Sequence, residues 1–114
     1  MDLTMSTDTK AATILHVSQH DATAYGWRTF RSALLRALER GSGGLVVDLR
    51  PVRFIFSGVL NALTEARVEA RRRGESMVIL VEEGDLRELL VRCGFDRLFV
   101  IAVAEGEALA AAAA

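Results

Sequence analysis

An α/β domain with a mixed sheet of four to five strands, covered by about four helices, is predicted by two patterns in this 114-residue chain. Short β-branched and aliphatic runs alternate with longer segments whose apolar residues recur at steps of three and four. Strands that alternate with helices also place at least part of the sheet in parallel register. Apolar residues make up 51% of the chain, enough at this length for one core and a single domain.

Residues 1–10 have no periodic apolar pattern and are expected to form a flexible N-terminal tail, with order starting near Ala11 and the domain spanning 11–114. ATILHV is the first strand, and GLVVDL, SMVILV and LFVIAV repeat its character; RFIF is a short extension of the sheet. Between the first two strands, Trp27, Phe30, Leu34 and Leu38 form the apolar stripe of a helix over residues 24–40, while Arg28, Arg31, Arg36 and Glu39 fall outside it. A second stripe runs through Val59, Ala62, Leu63, Ala66 and Ala70 and stops at Gly74. Arg71 to Arg73 occupy its last turn, where cations answer the helix dipole and Glu69 pairs with Arg73. Asp85 and Glu88 have capping-box spacing at the head of a short third helix, whose apolar side includes Leu86, Leu89, Leu90 and Cys93. The alanine-rich end has high helix propensity but little to bury, so a weakly docked, fraying helix is expected there. Trp27, Phe30, Leu34, Val46, Leu63, Leu80 and Leu90 are expected to share one core.

The balance of 14 basic and 15 acidic residues gives a net charge of -1, which argues against attachment to nucleic acid or anionic lipid through the overall field. The partner expected is a protein. One cysteine permits no internal disulfide. The polar, acidic start does not read as a signal peptide, and no run approaches membrane-spanning length, so the expected location is cytoplasmic, without membrane insertion.

The junction between RFIF and the second helix, IFSG, is a strand-to-helix loop of the kind that carries sites in α/β domains. Several chemistries fail on inspection. A hydrolase elbow around Ser57 needs glycines where Ile55 and Val59 stand. GSGG at 41–44 follows a helix and enters a strand, the reverse of a phosphate loop. His16 and His20 lack a second ligand cluster, so no metal site is read, and Cys93 reads as a small buried hydrophobe. Receiver-type chemistry needs a late lysine, and Lys10 is the only one. No catalytic residue and no cofactor is assigned. Ser57 itself reads as a helix cap.

Together, VSQHDATAYGWRTFRSALLRAL, LVVDLRPVRFIFSGVLNAL and ELLVRCGFDRLF resemble the STAS domain of anti-sigma factor antagonists over nearly all of residues 12–110. Asp21 and Asp48-Leu49 occupy the places of the family's turn aspartate and its strand ending in Asp-Leu, and LLVRCGFDRLF matches its closing pattern. The phosphorylation signature departs from the family. Without a gap, Phe56 replaces Asp, Ser57 matches the first Ser, Gly58 stands at the phosphorylated position and Val59 replaces Gly. In the gapped register Ser57 is instead the phosphoacceptor candidate. A one-residue slip rotates the following helix by about 100°, so helix geometry favours the ungapped register. A serine at position 58 would then restore the acceptor.

The resemblance implies a non-enzymatic, bacterial regulator of transcription that binds an anti-sigma factor or similar kinase-like protein. Its implied partner-binding residues are Asp21, Phe56, Ser57, Gly58, Val59 and Asn61, with Asp21 contributing to binding rather than to folding. The alternative is an accessory or scaffold subunit of a regulatory assembly or membrane transport complex; a nucleotide-binding module is a weaker third reading, and the sequence leaves room for a homodimer.

Overall fold

The computed structural model describes residues 4–9, 12–41 and 43–114. Five strands, β1 (Thr4–Thr9), β2 (Ala12–His16), β3 (Gly44–Asp48), β4 (Met77–Leu80) and β5 (Val100–Ala102), form one sheet in sequential order. β1 is antiparallel to β2, and every other pairing is parallel. The helices are α1 (Trp27–Arg40), α2 (Ser57–Arg72), α3 (Asp85–Arg92) and α4 (Glu105–Ala113). The expected mixed α/β architecture is therefore present.

Topology assigns the layers. The parallel strands advance one place at a time in the same direction, and right-handed crossovers then carry α1, α2 and α3 over the same face of the sheet. Residues alternate accordingly. Leu15, Leu45, Val47 and Ile79 meet Phe30, Leu34, Leu63 and Leu90 from the helices on that face. Ile14, Val46, Val78 and Leu80 point the other way and meet Ala108 and Ala112 of α4. The expectation of one core is corrected: Val46 and Leu80 lie on the face opposite Phe30, Leu34, Leu63 and Leu90, because successive residues of a strand face opposite sides.

Four further expectations are corrected. Thr4–Thr9 is a strand within the segment read as a tail, since backbone pairing along the edge of β2 needs no apolar periodicity; Ala11, the expected start of order, lies outside the described residues. RFIF adds no strand, because residues 53–56 follow a turn and bond to another loop. α1 starts at Trp27, as the preceding residues fold into turns. The alanine-rich helix is docked, with Ala108 and Ala112 buried, because methyl side chains let its backbone approach the sheet.

Helix ends also show what local sequence carries. Gly74 and Gly94 adopt positive φ (71° and 84°) after α2 and α3, the left-handed conformation in which glycine avoids a Cβ clash. Glu69 pairs with Arg73 at 2.6 Å and also with Arg72. The capping-box reading fails, however. Gly84 is the N-cap of α3 and no side chain caps it, which makes Asp85 the first helical residue. Cys93, placed on the apolar stripe by spacing, is exposed at the C-cap where the helical rotation ends.

Candidate partner-binding site

Two loops at one end of the sheet are joined by hydrogen bonds into a single surface. The Gln19 side chain accepts from the backbone N–H of Arg53 (2.7 Å) and donates to the carbonyl of Phe54 (2.8 Å). Phe56 N–H donates to the carbonyl of Ala22 (2.8 Å). Because these bonds satisfy the backbone of an irregular segment, residues 53–56 are fixed beside the turn at 18–26 rather than paired in the sheet. No short stretch carries this role of Gln19, since its partners are 34 and 35 positions away.

Asp21 builds this turn from within. It is 2% exposed, and its Oδ2 accepts from the Ser18 hydroxyl (2.8 Å) and the Ser18 N–H (3.2 Å). Its expected role as a direct contact is corrected, because a buried carboxylate committed to Ser18 cannot present itself to a partner. Asp21→Ala should leave two donors unsatisfied and cost about 1–2 kcal/mol in denaturant unfolding. A loss below about 0.5 kcal/mol, the size of an ordinary surface change, would contradict this role.

Ser57 is exposed and is the first residue of α2; Phe56 is the N-cap, in extended conformation, and makes no side-chain cap. The helix-cap reading of Ser57 is thus corrected by one position. Its hydroxyl stands at the helix N-terminus, where the dipole favours an anion. Asn61 is exposed, whereas Gly58 and Val59 are buried and support the surface from below.

Trp27 occupies the space over Gly58. A Cβ at residue 58 would lie 2.7 Å from Trp27 Cδ2 and 3.0 Å from Phe56 Cδ2. The Trp27 and Phe56 rings are 6.1 Å apart at 36°, and the Arg28 guanidinium sits 4.9 Å over the indole. Gly58→Ser therefore cannot simply restore a hydroxyl, since the indole must move first. We expect a cost of about 1 kcal/mol and a red-shifted emission from Trp27, the only tryptophan. Unchanged emission together with unchanged stability would show that the pocket accepts a side chain.

Aromatic placement sets this end of the molecule apart. Tyr25, Phe54 and Phe56 are 91%, 66% and 39% exposed, and all three lie on the two joined loops. Phe30, Phe95 and Phe99 are buried elsewhere. Aromatic side chains concentrate binding energy at protein interfaces, so an exposed group of them on hydrogen-bonded loops suits protein recognition. Local pattern does not carry this exposure, since Phe54 has the pattern of a strand residue.

A separate charged cluster anchors the strand ends nearby. Buried Asp48 accepts two bonds from the Arg50 guanidinium at 2.9 Å and one from its N–H at 3.0 Å, lies 3.0 Å from His16 Nδ1, and shares Arg50 with Glu105. Burial pushes the Asp48 pKa up, but the Arg50 and His16 bonds outweigh it and hold the group below its ordinary value of 3.8. A depressed carboxylate contributes stability fully above its unfolded pKa and loses it as pH falls through the folded value. Unfolding midpoints should therefore fall below about pH 4, and Asp48→Asn should flatten that acid limb. An unchanged limb in the variant would remove Asp48 from the acid response.

Comparison with known proteins agrees with this architecture. No curated protein matches the chain. An anti-sigma factor antagonist from Mycobacterium paratuberculosis superposes with a TM-score of 0.77 at 19% identity, covering 97% of this chain and 94% of that one. The anti-sigma-factor antagonist (STAS) domain protein from Planctomyces limnophilus gives 0.77 at 17% identity, covering 98% of each. The Bacillus cell fate determinant SpoIIAA in its phosphorylated form gives 0.70 at 12% identity, covering 95% of this chain and 96% of that one. At these identities the likeness is one of fold. A family model described as "Mlab, STAS domain" matches residues 5–102, and the chain accordingly belongs to the STAS family.

Proposed function

We propose that this STAS domain is a non-enzymatic binding module that engages an anti-sigma factor or similar kinase-like protein and so regulates transcription. The observation that carries this reading is the exposure of Tyr25, Phe54 and Phe56, with Ser57 next to Phe56, on two loops locked together by Gln19 and by the bond from Phe56 to Ala22. The surface consists of Tyr25, Phe54, Phe56, Ser57 and Asn61, with Asp21, Gly58 and Val59 beneath it. Fold likeness to anti-sigma factor antagonists supports the partner class.

Regulation differs from a phosphorylation switch at residue 58. That position has no hydroxyl, and Trp27 takes up the volume a side chain would need. Binding is therefore constitutive with respect to residue 58. A phosphate on Ser57 would instead bring negative charge and a desolvation cost into the middle of the contact surface, releasing a partner without unfolding the domain.

Affinity capture from the source cell, in parallel with Phe54→Ala/Phe56→Ala, tests the reading. Recovery of an anti-sigma factor or kinase-like protein by the native domain alone, with binding that persists in ATP, is expected. Transport-complex subunits in its place would favour the accessory-subunit alternative. Stoichiometric phosphate on Ser57, located by mass spectrometry and abolishing binding, would overturn the constitutive mode.

A further inference from the structure

We propose that the open edge of β5 is a self-association surface, on which a second copy of this chain adds its own β5 in antiparallel register about a two-fold axis. β5 is the last strand of the sheet, so one side of its backbone has no neighbouring strand. The Ala102 carbonyl accepts from the Val81 N–H at 2.9 Å. Backbone groups along a strand alternate in direction, so those of Val100 and Ala102 serve β4 while those of Ile101 turn to the open edge. None of Tyr25, Phe54, Phe56 and Ser57 lies on β5, and the proposal does not rest on the functional reading above.

Side chains along this edge are unguarded. From Leu98 to Ala104 the chain has no charged residue and no proline, and Val100, Val103 and Leu98 are 51%, 40% and 37% exposed. Exposed edge strands normally carry charges, proline or a bulge that keeps other strands away. The opposite edge strand, β1, has the polar sequence TMSTDT with Asp8 in it. β5 is protected only by its shortness, since three residues pair with β4.

Charge selects the occupant and its direction. At the N-terminal end of β5, Arg67 donates to the Leu98 carbonyl (2.6 Å) and Arg71 and Arg97 are exposed, against Glu75 and Asp96. At the C-terminal end Glu82, Glu83 and Glu107 are exposed. The cations there are matched or outnumbered: Arg87 meets Glu83 at 3.7 Å, Arg50 is shared by Asp48 and Glu105, and Arg53 is offset by Asp85. One end is therefore net positive and the other net negative. A second β5 laid antiparallel sets each positive end against a negative one, whereas a parallel copy sets like against like.

The two-fold pair uses each β5 edge once and closes as a dimer. At its centre Ile101 exchanges two backbone bonds with its counterpart, and Val100 stands opposite Ala102. So short a ladder buries less than the roughly 1,200 Å² of a standard interface, which makes the dimer weak and dependent on high protein concentration.

Sedimentation of the full chain between about 5 µM and about 1 mM tests the proposal, with amide exchange measured at both ends of that range. Monomer should pass reversibly to dimer, and the Ile101 amide should exchange at least about tenfold more slowly in the concentrated sample. In Val100→Lys/Val103→Lys, whose folding is checked by circular dichroism, the dissociation constant should rise at least about tenfold, because lysine is an edge guard. Arg97→Glu should raise it about two- to fivefold. A monomer throughout, a dimer untouched by the lysine pair, or species that grow beyond dimer would overturn the assignment, and an unchanged constant in Arg97→Glu would overturn the antiparallel register. Should the lysine variant fail to fold, the native chain decides: an Ile101 amide equally fast at both concentrations rules out the β5 ladder.

Discussion

Leu34→Ala is expected to lower the free energy of unfolding by about 2–5 kcal/mol, measured by denaturant titration. Leu34 lies in the middle of α1 with no exposed surface, and it belongs to the cluster that joins α1 and α2 to the sheet. Truncation removes the transfer energy of the leucine and leaves a cavity that backbone anchored on both sides cannot close. The slope of the transition should stay the same, because the surface exposed on unfolding is almost unchanged. A change below about 0.5 kcal/mol would mean that the helix does not bury this face.

Gly44→Ala should cost nearly as much by the opposite mechanism, overpacking. A Cβ on Gly44 would lie 2.1 Å from the Ala112 carbonyl oxygen and 2.6 Å from its carbon. Both are backbone atoms, so no rotamer change relieves the contact and α4 has to lift from the sheet. A loss of about 3 kcal/mol, the upper end of ordinary overpacking, is expected. Faster amide exchange should appear in α4 and in the strand face it covers, where Ile14, Val46, Val78 and Leu80 pack. Native-like exchange in α4 would show that the helix is not seated as described.

Period and punctuation made much of this architecture legible. The stripes of α1 and α2, the four aliphatic strand runs and the glycine stops at 74 and 94 each depend on residues a few positions apart, so local sequence carries them. The same locality explains the failures. Cys93 continues the spacing of α3, but the chain leaves the helix there, and periodicity cannot report where rotation stops. Ser57 and Asp85 have the chemistry of caps, yet each is one residue inside its helix, because the cap position depends on how the incoming chain is held. At 57 that hold is the bond from Phe56 to Ala22, a contact across 34 positions.

The candidate site divides in the same way. Motif pattern pointed to the loops around Asp21 and Ser57, but not to which side chains face outward. Asp21 turned inward because Ser18 offers two donors to its carboxylate. Phe54 became a surface residue because Gln19 binds the 53–54 backbone, holding that segment away from the sheet, and Tyr25 because it lies in the turn that precedes α1.

By itself, then, the sequence determined the class of fold, the alternation of its four parallel strands with its helices, their inward stripes and the absence of a residue-58 hydroxyl. All of these follow from side-chain chemistry and local repeat. Only the tertiary structure decided that alternate strand residues serve two separate cores, that alanines bring α4 against Gly44, that Trp27 fills the space over Gly58, and that Tyr25, Phe54 and Phe56 stand exposed on two hydrogen-bonded loops. Those outcomes depend on which distant segments meet, and a meeting of that kind is fixed by the packing of the whole chain rather than by any short stretch of it.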